Sequence, residues 1–474
     1  MPKADFLIHP YDAIPWSIDL IACCLTWLFV LPHPRASYAC TDVPSYSTAT
    51  HPLPGYIWVQ SSSFDIESIV NSSLNIMYLK SRAIIITGLA SCLVEALNRT
   101  VSINPELTYL LPSGYSGNLQ EGFVDTNTTS KVENTLFASA QDAPFIAYDP
   151  EFTSIIGPNA TLKLVAQRET PFAGEAGVWV PDRNEVWFTS NTENDTQSLE
   201  VLDVETSKIY TPQTSIPIVN PNGGYYFNGT VYITGTGSFT EAPCIYAINP
   251  SNGDTSIVLN TYFGLQFNGP NDMTWVKRGN KAYMFFTDDP IAERYAPGSG
   301  IPSQLPDAVW RFDPQERSLI PVISRADILI PNGIRVNANQ TKLYVTDTTP
   351  TDAYPTEQGG AGGTGSPAIY VFDLDDDAFP INKRMLGISR TGISDGIHID
   401  DAGRIWTGEY EGVIVRNPQG KVLGLFNSMA YSVNATTHVA NFALAGDTLV
   451  IEDVQRLWTV KLAQMVVTAS RFQF

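Results

Sequence analysis

Hydrophobic and aromatic residues alternate with other residues in six short stretches that mostly end on Thr or Asp. They are Glu185–Ser190 (EVWFTS), Thr230–Gly235 (TVYITG), Ala282–Asp289 (AYMFFTDD), Lys342–Asp347 (KLYVTD), Arg404–Glu409 (RIWTGE) and Thr448–Asp453 (TLVIED). Period-two alternation is the mark of a strand. Their starts lie roughly 45–60 residues apart, the repeat of a four-stranded propeller blade. A companion strand follows most of them: CIYAINP (Cys244–Pro250), AVWRFDP (Ala308–Pro314), AIYVFD (Ala368–Asp373) and GVIVRNP (Gly412–Pro418). Helical periodicity is nearly absent from Phe137 onward. A β-sandwich would also alternate, but two packed sheets would not generate six equivalent units. The pattern predicts an all-β chain: a six-bladed β-propeller over residues 137–474, preceded by an irregular N-terminal extension over 40–136. FIAYDP (Phe145–Pro150) reads as a companion strand without its partner. It is expected to close the ring by pairing with the last blade, whose own strands end near Arg456–Leu462.

Composition changes this picture mainly at the N-terminus. Leu20–Leu31 (LIACCLTWLFVL) is an apolar core of signal-peptide length, and Ser37-Tyr38-Ala39 supplies small residues before Cys40. Residues 1–39 therefore read as a secretory signal, with a membrane anchor as the alternative. Asn-x-Ser/Thr sequons at Asn71, Asn98, Asn127, Asn159, Asn194, Asn228, Asn339 and Asn434 point the same way, to a secreted glycoprotein. Removing the signal leaves Cys40, Cys92 and Cys244, enough for one disulfide, for which Cys40–Cys92 is the easier pairing. No Cys/His cluster suggests zinc. The formal net charge of −20 argues against nucleic acid as a partner and is compatible with a hard cation. Met77–Leu97 is apolar but interrupted by Lys80, Arg82 and Glu95, so it makes a poor membrane span. No stable membrane association is expected once the signal is cleaved. Pro350–Pro367 is a Gly/Pro-rich insertion between strands.

Four motifs place one oxygen-bearing side chain beside a predicted strand: Glu175 in GEAGVW, Asn271 in NGPND, Asn332 in PNGI and Asp395 in SDGI. Asn-Gly and Asp-Gly favour tight turns whatever the function. Equivalent turns of a propeller converge on its axis, however. Two carboxylates and two amide oxygens meeting there suit Ca²⁺, which takes six to eight oxygen ligands. His398 follows Asp395 by three, so strict alternation points it away from Asp395, as a packed structural histidine. His438, on a loop before Asn441, is the better general-base candidate. There is no GxSxG, so serine hydrolase chemistry is not indicated.

At these residues the chain resembles the senescence marker protein/gluconolactonase family, in particular its secreted fungal lactonohydrolase branch. The resemblance runs from about Phe145 to the C-terminus. It includes GEAGVW, NPNGG (Asn220–Gly224), YFGLQFNGPND (Tyr262–Asp272), PNGI with YVTDT (Tyr344–Thr348), SDGIHID (Ser394–Asp400) and NFALAG (Asn441–Gly446). It implies a six-bladed propeller with a divalent cation, usually Ca²⁺, on the axis. Position by position it implies Glu175, Asn332 and Asp395 as metal ligands and Asn271 as a residue lining the metal and substrate pocket. Two positions depart from the pattern. Gly269 stands where animal members carry an Arg that recognises substrate, and Gly174 where fungal relatives are expected to carry a His.

The chemistry implied is hydrolysis of a small hydroxylactone or aldonolactone. The cation acts as Lewis acid on the carbonyl, and Asp395 is placed to accept the proton of the attacking, metal-activated water. The alternative on the same scaffold is a secondary-metabolism pericyclase joining a quinone methide to a terpene. That reaction needs a shaped apolar pocket more than a nucleophile. Either way the partner is a small molecule.

Overall fold

The structure is a computed structural model that describes residues 97–118, 121–190, 198–289, 302–349, 367–433 and 439–473. All lie within the compact unit Leu79–Phe474. The signal segment, both members of the Cys40–Cys92 pairing, the Met77–Leu97 stretch up to residue 96, the insertion 350–366 and the sequons at Asn71, Asn194 and Asn434 fall outside the described residues.

Six antiparallel sheets follow one another around an axis. Blade 1 comprises Glu175–Val180, Glu185–Thr189, Leu199–Asp203 and Lys208–Tyr210; blade 2, Pro221–Phe227, Thr230–Gly235, Cys244–Ile248 and Thr255–Leu259. Blade 3 comprises Pro270–Arg278, Lys281–Asp288, Ala308–Asp313 and Ser318–Ser324; blade 4, Pro331–Val336, Lys342–Asp347, Ala368–Leu374 and Pro380–Ile388. Blade 5 has Ser394–Ile399, Ile405–Glu409, Gly412–Arg416 and Val422–Asn427; blade 6 has Asn441–Ala445, Thr448–Asp453 and Arg456–Lys461. The six repeated stretches of the sequence are the second strands of these blades, and the companion stretches are third strands.

Ring closure departs from the sequence expectation. The fourth strand of blade 6 is Leu162–Gln167, which pairs antiparallel with Arg456–Lys461. Phe145–Ala147 instead adds to the outside of blade 5, with Phe145 opposite Phe426, and Thr100–Ser102 extends that sheet in parallel to six strands. The Asp-Pro that reads as a turn is a helix start. Asp149 Oδ1 accepts from the Glu151 N–H at 2.8 Å, and Pro150 occupies the first turn of a helix over Pro150–Ile156. That helix (α2) buries Phe152, Ile155 and Ile156. The preceding helix, Lys131–Gln141 (α1), buries Phe137 and Ala140. Both cover the outer strands of blade 5 with a hydrophobic face that a lone edge strand would leave in water.

The interior is a set of inter-blade cores, with Trp187, Trp310 and Trp406 among the largest fully buried side chains. Polar joints also cross from blade to blade. In blades 1 to 4 the second strand carries a threonine near its end, and its hydroxyl donates to the next blade. Thr189 reaches the Asn222 carbonyl (3.2 Å), Thr234 that of Asn271 (2.6 Å), Thr287 that of Asn332 (2.7 Å) and Thr346 that of Asp395 (2.8 Å). The neighbouring Asp ties its own blade: Asp288 Oδ1 accepts from Gly269 N–H, and Asp347 from Ile330 and Thr349 N–H. The Thr/Asp ending of the repeat is thus the signature of blade-to-blade joints.

Candidate active site at the axial ring

The four sequence motifs do not sit in turns. They lie within the first strands, at bulges where two residues face one on the partner. The register shifts between Glu175 and Val178, Pro221 and Gly224, Pro270 and Met273, Pro331 and Ile334, and Ser394 and Ile397. A bulge bends its strand and re-aims a side chain. Proline opens three of these strands, where its missing N–H costs no ladder bond.

The bulges pack directly against one another around the axis. A Cβ on Gly333 would lie 2.4 Å from the Asp395 carbonyl, and one on Gly177 would lie 2.1 Å from the Phe442 carbonyl, so only glycine allows these approaches. With the threonine bonds, this brings Glu175, Asn222, Asn271, Asn332, Asp395 and Asn441 into a single ring, one from each blade. Asn271, Asn332, Asp395 and Asn441 are buried, while Glu175 and Asn222 keep partial exposure. Asn441 Nδ2 donates to Glu175 Oε2 at 3.2 Å, and its Oδ1 accepts from the Phe442 N–H at 2.9 Å, so Glu175 is held by an oriented amide. Burial first and the Asp395 charge second push the Glu175 carboxyl well above its ordinary range. His438 lies outside the described residues.

Sequence reading missed Asn222 and Asn441 as ring members. Asn222 shares its Pro-Asn-Gly with Asn332, which was the available signal; Asn441 lacks that triplet and its strand has no bulge. The residue next to Asn271, Asp272, points elsewhere. Its Oδ2 accepts from Arg335 Nη1 (2.6 Å) and the Ile334 N–H (3.1 Å), a buried ion pair joining blades 3 and 4. Gly269 is buried with its N–H on Asp288, and a Cβ there would lie 3.0 Å from the Asp289 carbonyl.

A second layer lies deeper in the channel. Val178, Tyr225, Arg335 and His398, each three residues beyond a ring residue, line a cavity of about 30 Å³. The bulge explains the odd spacing: one extra residue reverses the alternation, so His398 shares the channel with Asp395 instead of pointing away. Burial, then Arg335 and Arg471, lower the His398 pKa far below its ordinary value, keeping the imidazole neutral. The C-terminal segment closes the far end of the channel. Phe472 packs among Trp179, Tyr225 and Tyr226, and its carbonyl accepts from Asn228 N–H at 2.8 Å. The Arg471 guanidinium donates to the Ile399 and Val336 carbonyls. The axial ring lies at the other end of the channel from this segment.

Among the described residues no group of three or more His, Cys, Asp or Glu side chains could hold a metal, because the ring mixes carboxylates with amides. Its donors are nevertheless all oxygens. Asn222 Oδ1 is buried with no hydrogen-bond partner among the described residues. Two carboxylates and several amide oxygens at one axial point fit a hard cation. Among the described residues no helix is long and apolar enough to cross a membrane.

Residues 173–451 match the family model "SMP-30/Gluconolactonase/LRE-like region". The lactonohydrolase oryL of Aspergillus oryzae is 26 % identical over 350 residues, covering 68 % of this chain and 74 % of that protein. The lactonohydrolase oryH of the same organism is 24 % identical over 405 residues, covering 71 % and 83 %. A gluconolactonase of Zymomonas mobilis is 28 % identical over 209 residues, 42 % of this chain and 52 % of that protein. The solved structure of a gluconolactonase from Xanthomonas campestris superposes with a TM-score of 0.52 at 20 % identity, over 67 % of this chain and 93 % of that one. That likeness shows the shared fold. The matched segment carries every ring motif from Glu175 to Asn441, and the chain belongs to the SMP-30/gluconolactonase/LRE-like family.

Proposed function

We propose that the axial ring hydrolyses a small hydroxylactone or aldonolactone with the help of a divalent cation, Ca²⁺ by its donor set. The observation that supports this reading is the ring itself: each of the six blades carries one oxygen-bearing side chain at the axis, at the end of the channel away from the Arg471–Phe472 segment. Glu175, Asn332 and Asp395 would hold the cation, joined by Asn222 Oδ1, which has no hydrogen-bond partner among the described residues. The cation would supply Lewis-acid polarisation of the lactone carbonyl. Asp395 would take the proton of the attacking water on a carboxylate oxygen, while the Thr346 hydroxyl fixes its main chain. Asn441 would keep Glu175 turned to the axis. Asn271, with its main chain held by Thr234, would meet the hydroxyls of the substrate. Relatives named lactonohydrolase and gluconolactonase support hydrolysis, and no observation favours the cycloaddition.

The test is hydrolysis of a lactone panel by wild type and Asp395→Asn, with and without chelator. Asp395→Asn should lower turnover about 10²-fold or more, the scale of losing general-base catalysis. Chelator should abolish activity and Ca²⁺ restore it. Folded, Ca²⁺-supplied wild type that hydrolyses none of the panel above background would refute the reading.

A further inference from the structure

The C-terminal segment that closes the channel touches every blade. The Val466 N–H donates to the Gly446 carbonyl of blade 6 at 2.9 Å, and the Thr468 N–H to Asp401 Oδ2 of blade 5 at 2.7 Å. Phe472 packs on Trp179 of blade 1 and Tyr225 of blade 2, and the Gln473 carbonyl accepts from Lys277 Nζ of blade 3 at 2.7 Å. Arg471 spans blades 4 and 5. Its Nη1 donates to the Ile399 carbonyl and its Nη2 to the Val336 carbonyl. The side chain is only 7 % exposed, and Nη1 also lies 3.6 Å from Asp401 Oδ1. Val336 stands four residues beyond Asn332, and Ile399 four beyond Asp395, on the first strands of their blades. Each first strand is an edge of its sheet, so one row of its main-chain groups has no partner inside the sheet. At the ring end, the Thr346 hydroxyl joins the same two blades through the Asp395 carbonyl. Blades 4 and 5 are thus tied at both ends of their inner strands, about 13 Å apart at roughly 3.3 Å per residue.

We propose that Arg471 is a positioning residue for the axial ring. Its planar fork holds two carbonyls at once and so fixes the separation of the strands that present Asn332 and Asp395. Lysine, a compact point charge, does not reproduce that fork. Close-packed interiors transmit small displacements, so a shift at the clasp reaches the ring along each strand. A ligand set works only when its members are held to within about 0.5 Å, and that precision comes from the residues behind them. The consequence at the cation rests on the reading of Asn332 and Asp395 as ligands; the fixing of the two strands does not.

The experiment compares full-length wild type with Arg471→Met, Arg471→Lys and Phe137→Leu. Phe137 is buried between α1 and the outer strands of blade 5, in a core that holds no residue of the clasp. Its truncation therefore lowers stability without touching Arg471. By titration calorimetry, Ca²⁺ affinity should fall about 10–100-fold in Arg471→Met, the scale for losing a group that orients a ligand. Arg471→Lys should lose affinity too, because charge alone does not hold both carbonyls. Phe137→Leu should melt lower yet bind Ca²⁺ as wild type does. In chelator, hydrogen exchange read by mass spectrometry should quicken over Pro331–Val336 and Ser394–Ile399 in both Arg471 variants and stay unchanged there in Phe137→Leu. If Arg471→Met does not fold, Arg471→Lys carries the same comparison. Wild-type exchange over those two strands in the Arg471 variants, or an equal loss of affinity in Phe137→Leu, would overturn the proposal. If wild type binds no Ca²⁺, the functional reading fails, while the exchange arm still decides this one.

Discussion

Thr346→Val removes one hydroxyl from the ring and almost nothing else. Thr346 is fully buried, and its Oγ1 accepts from the Gly333 N–H at 2.8 Å while donating to the Asp395 carbonyl at 2.8 Å. Valine has the same shape, so no cavity opens. It takes the hydroxyl partner from the Gly333 N–H and from the Asp395 carbonyl, each loss costing about 1–3 kcal/mol. The added apolar group returns under about 1 kcal/mol. The net loss should be about 1–5 kcal/mol. Thr346→Ser keeps the hydroxyl and gives up one methyl, a loss of about 1 kcal/mol. Urea unfolding in chelator measures both, read as a shift in midpoint at constant slope. The valine variant should also melt a few degrees lower. Because that carbonyl belongs to Asp395, Ca²⁺ affinity should fall in Thr346→Val and hold in Thr346→Ser. A valine variant as stable as the serine one would show that the blades are held by apolar packing alone and would refute the role given to the threonine joints.

Other outcomes follow from the same geometry. Ca²⁺ at a hundred times its Kd should stabilise wild type by about 2.7 kcal/mol, and Glu175→Gln should shrink the calorimetric or thermal shift at that concentration. Arg335→Met strands Asp272 in the interior and should cost about 3–5 kcal/mol in denaturant unfolding. Asp453 is raised to about 6, chiefly by burial. The folded state then binds the extra proton between the unfolded value of about 3.9 and that pKa. The stability it contributes is complete below about pH 4 and lost as pH rises through about 6, a change of the order of 2–3 kcal/mol. Unfolding of Asp453→Asn across pH 4–7 should lack that component.

The parts of this fold that were legible in sequence are those whose cause is local. A second strand of a blade alternates because it lies between two inter-blade cores, and it ends on Thr-Asp because those two side chains tie joints within reach. Both signals sit inside six residues. Leu162–Gln167 closes the ring yet has no such mark: LKLVAQ alternates weakly, and its partner Arg456–Lys461 lies far along the chain. FIAYDP carried a stronger local pattern and drew the closure to itself, because Asp-Pro after a strand signals a turn and a helix cap equally well.

The site was legible to the same degree. Pro-Asn-Gly, Asn-Asp and Ser-Asp-Gly mark the ring residues, but the dipeptides that favour turns also permit bulges, and only pairing across the sheet tells the two apart. That distinction decides chemistry. A turn would leave these side chains to a mobile surface, whereas a bulge inside a paired strand fixes each one from both sides. Once the bulge is placed, His398 turns into the channel, the layer at Arg335 becomes the floor of the site, and the C-terminal Arg471–Phe472 becomes its plug.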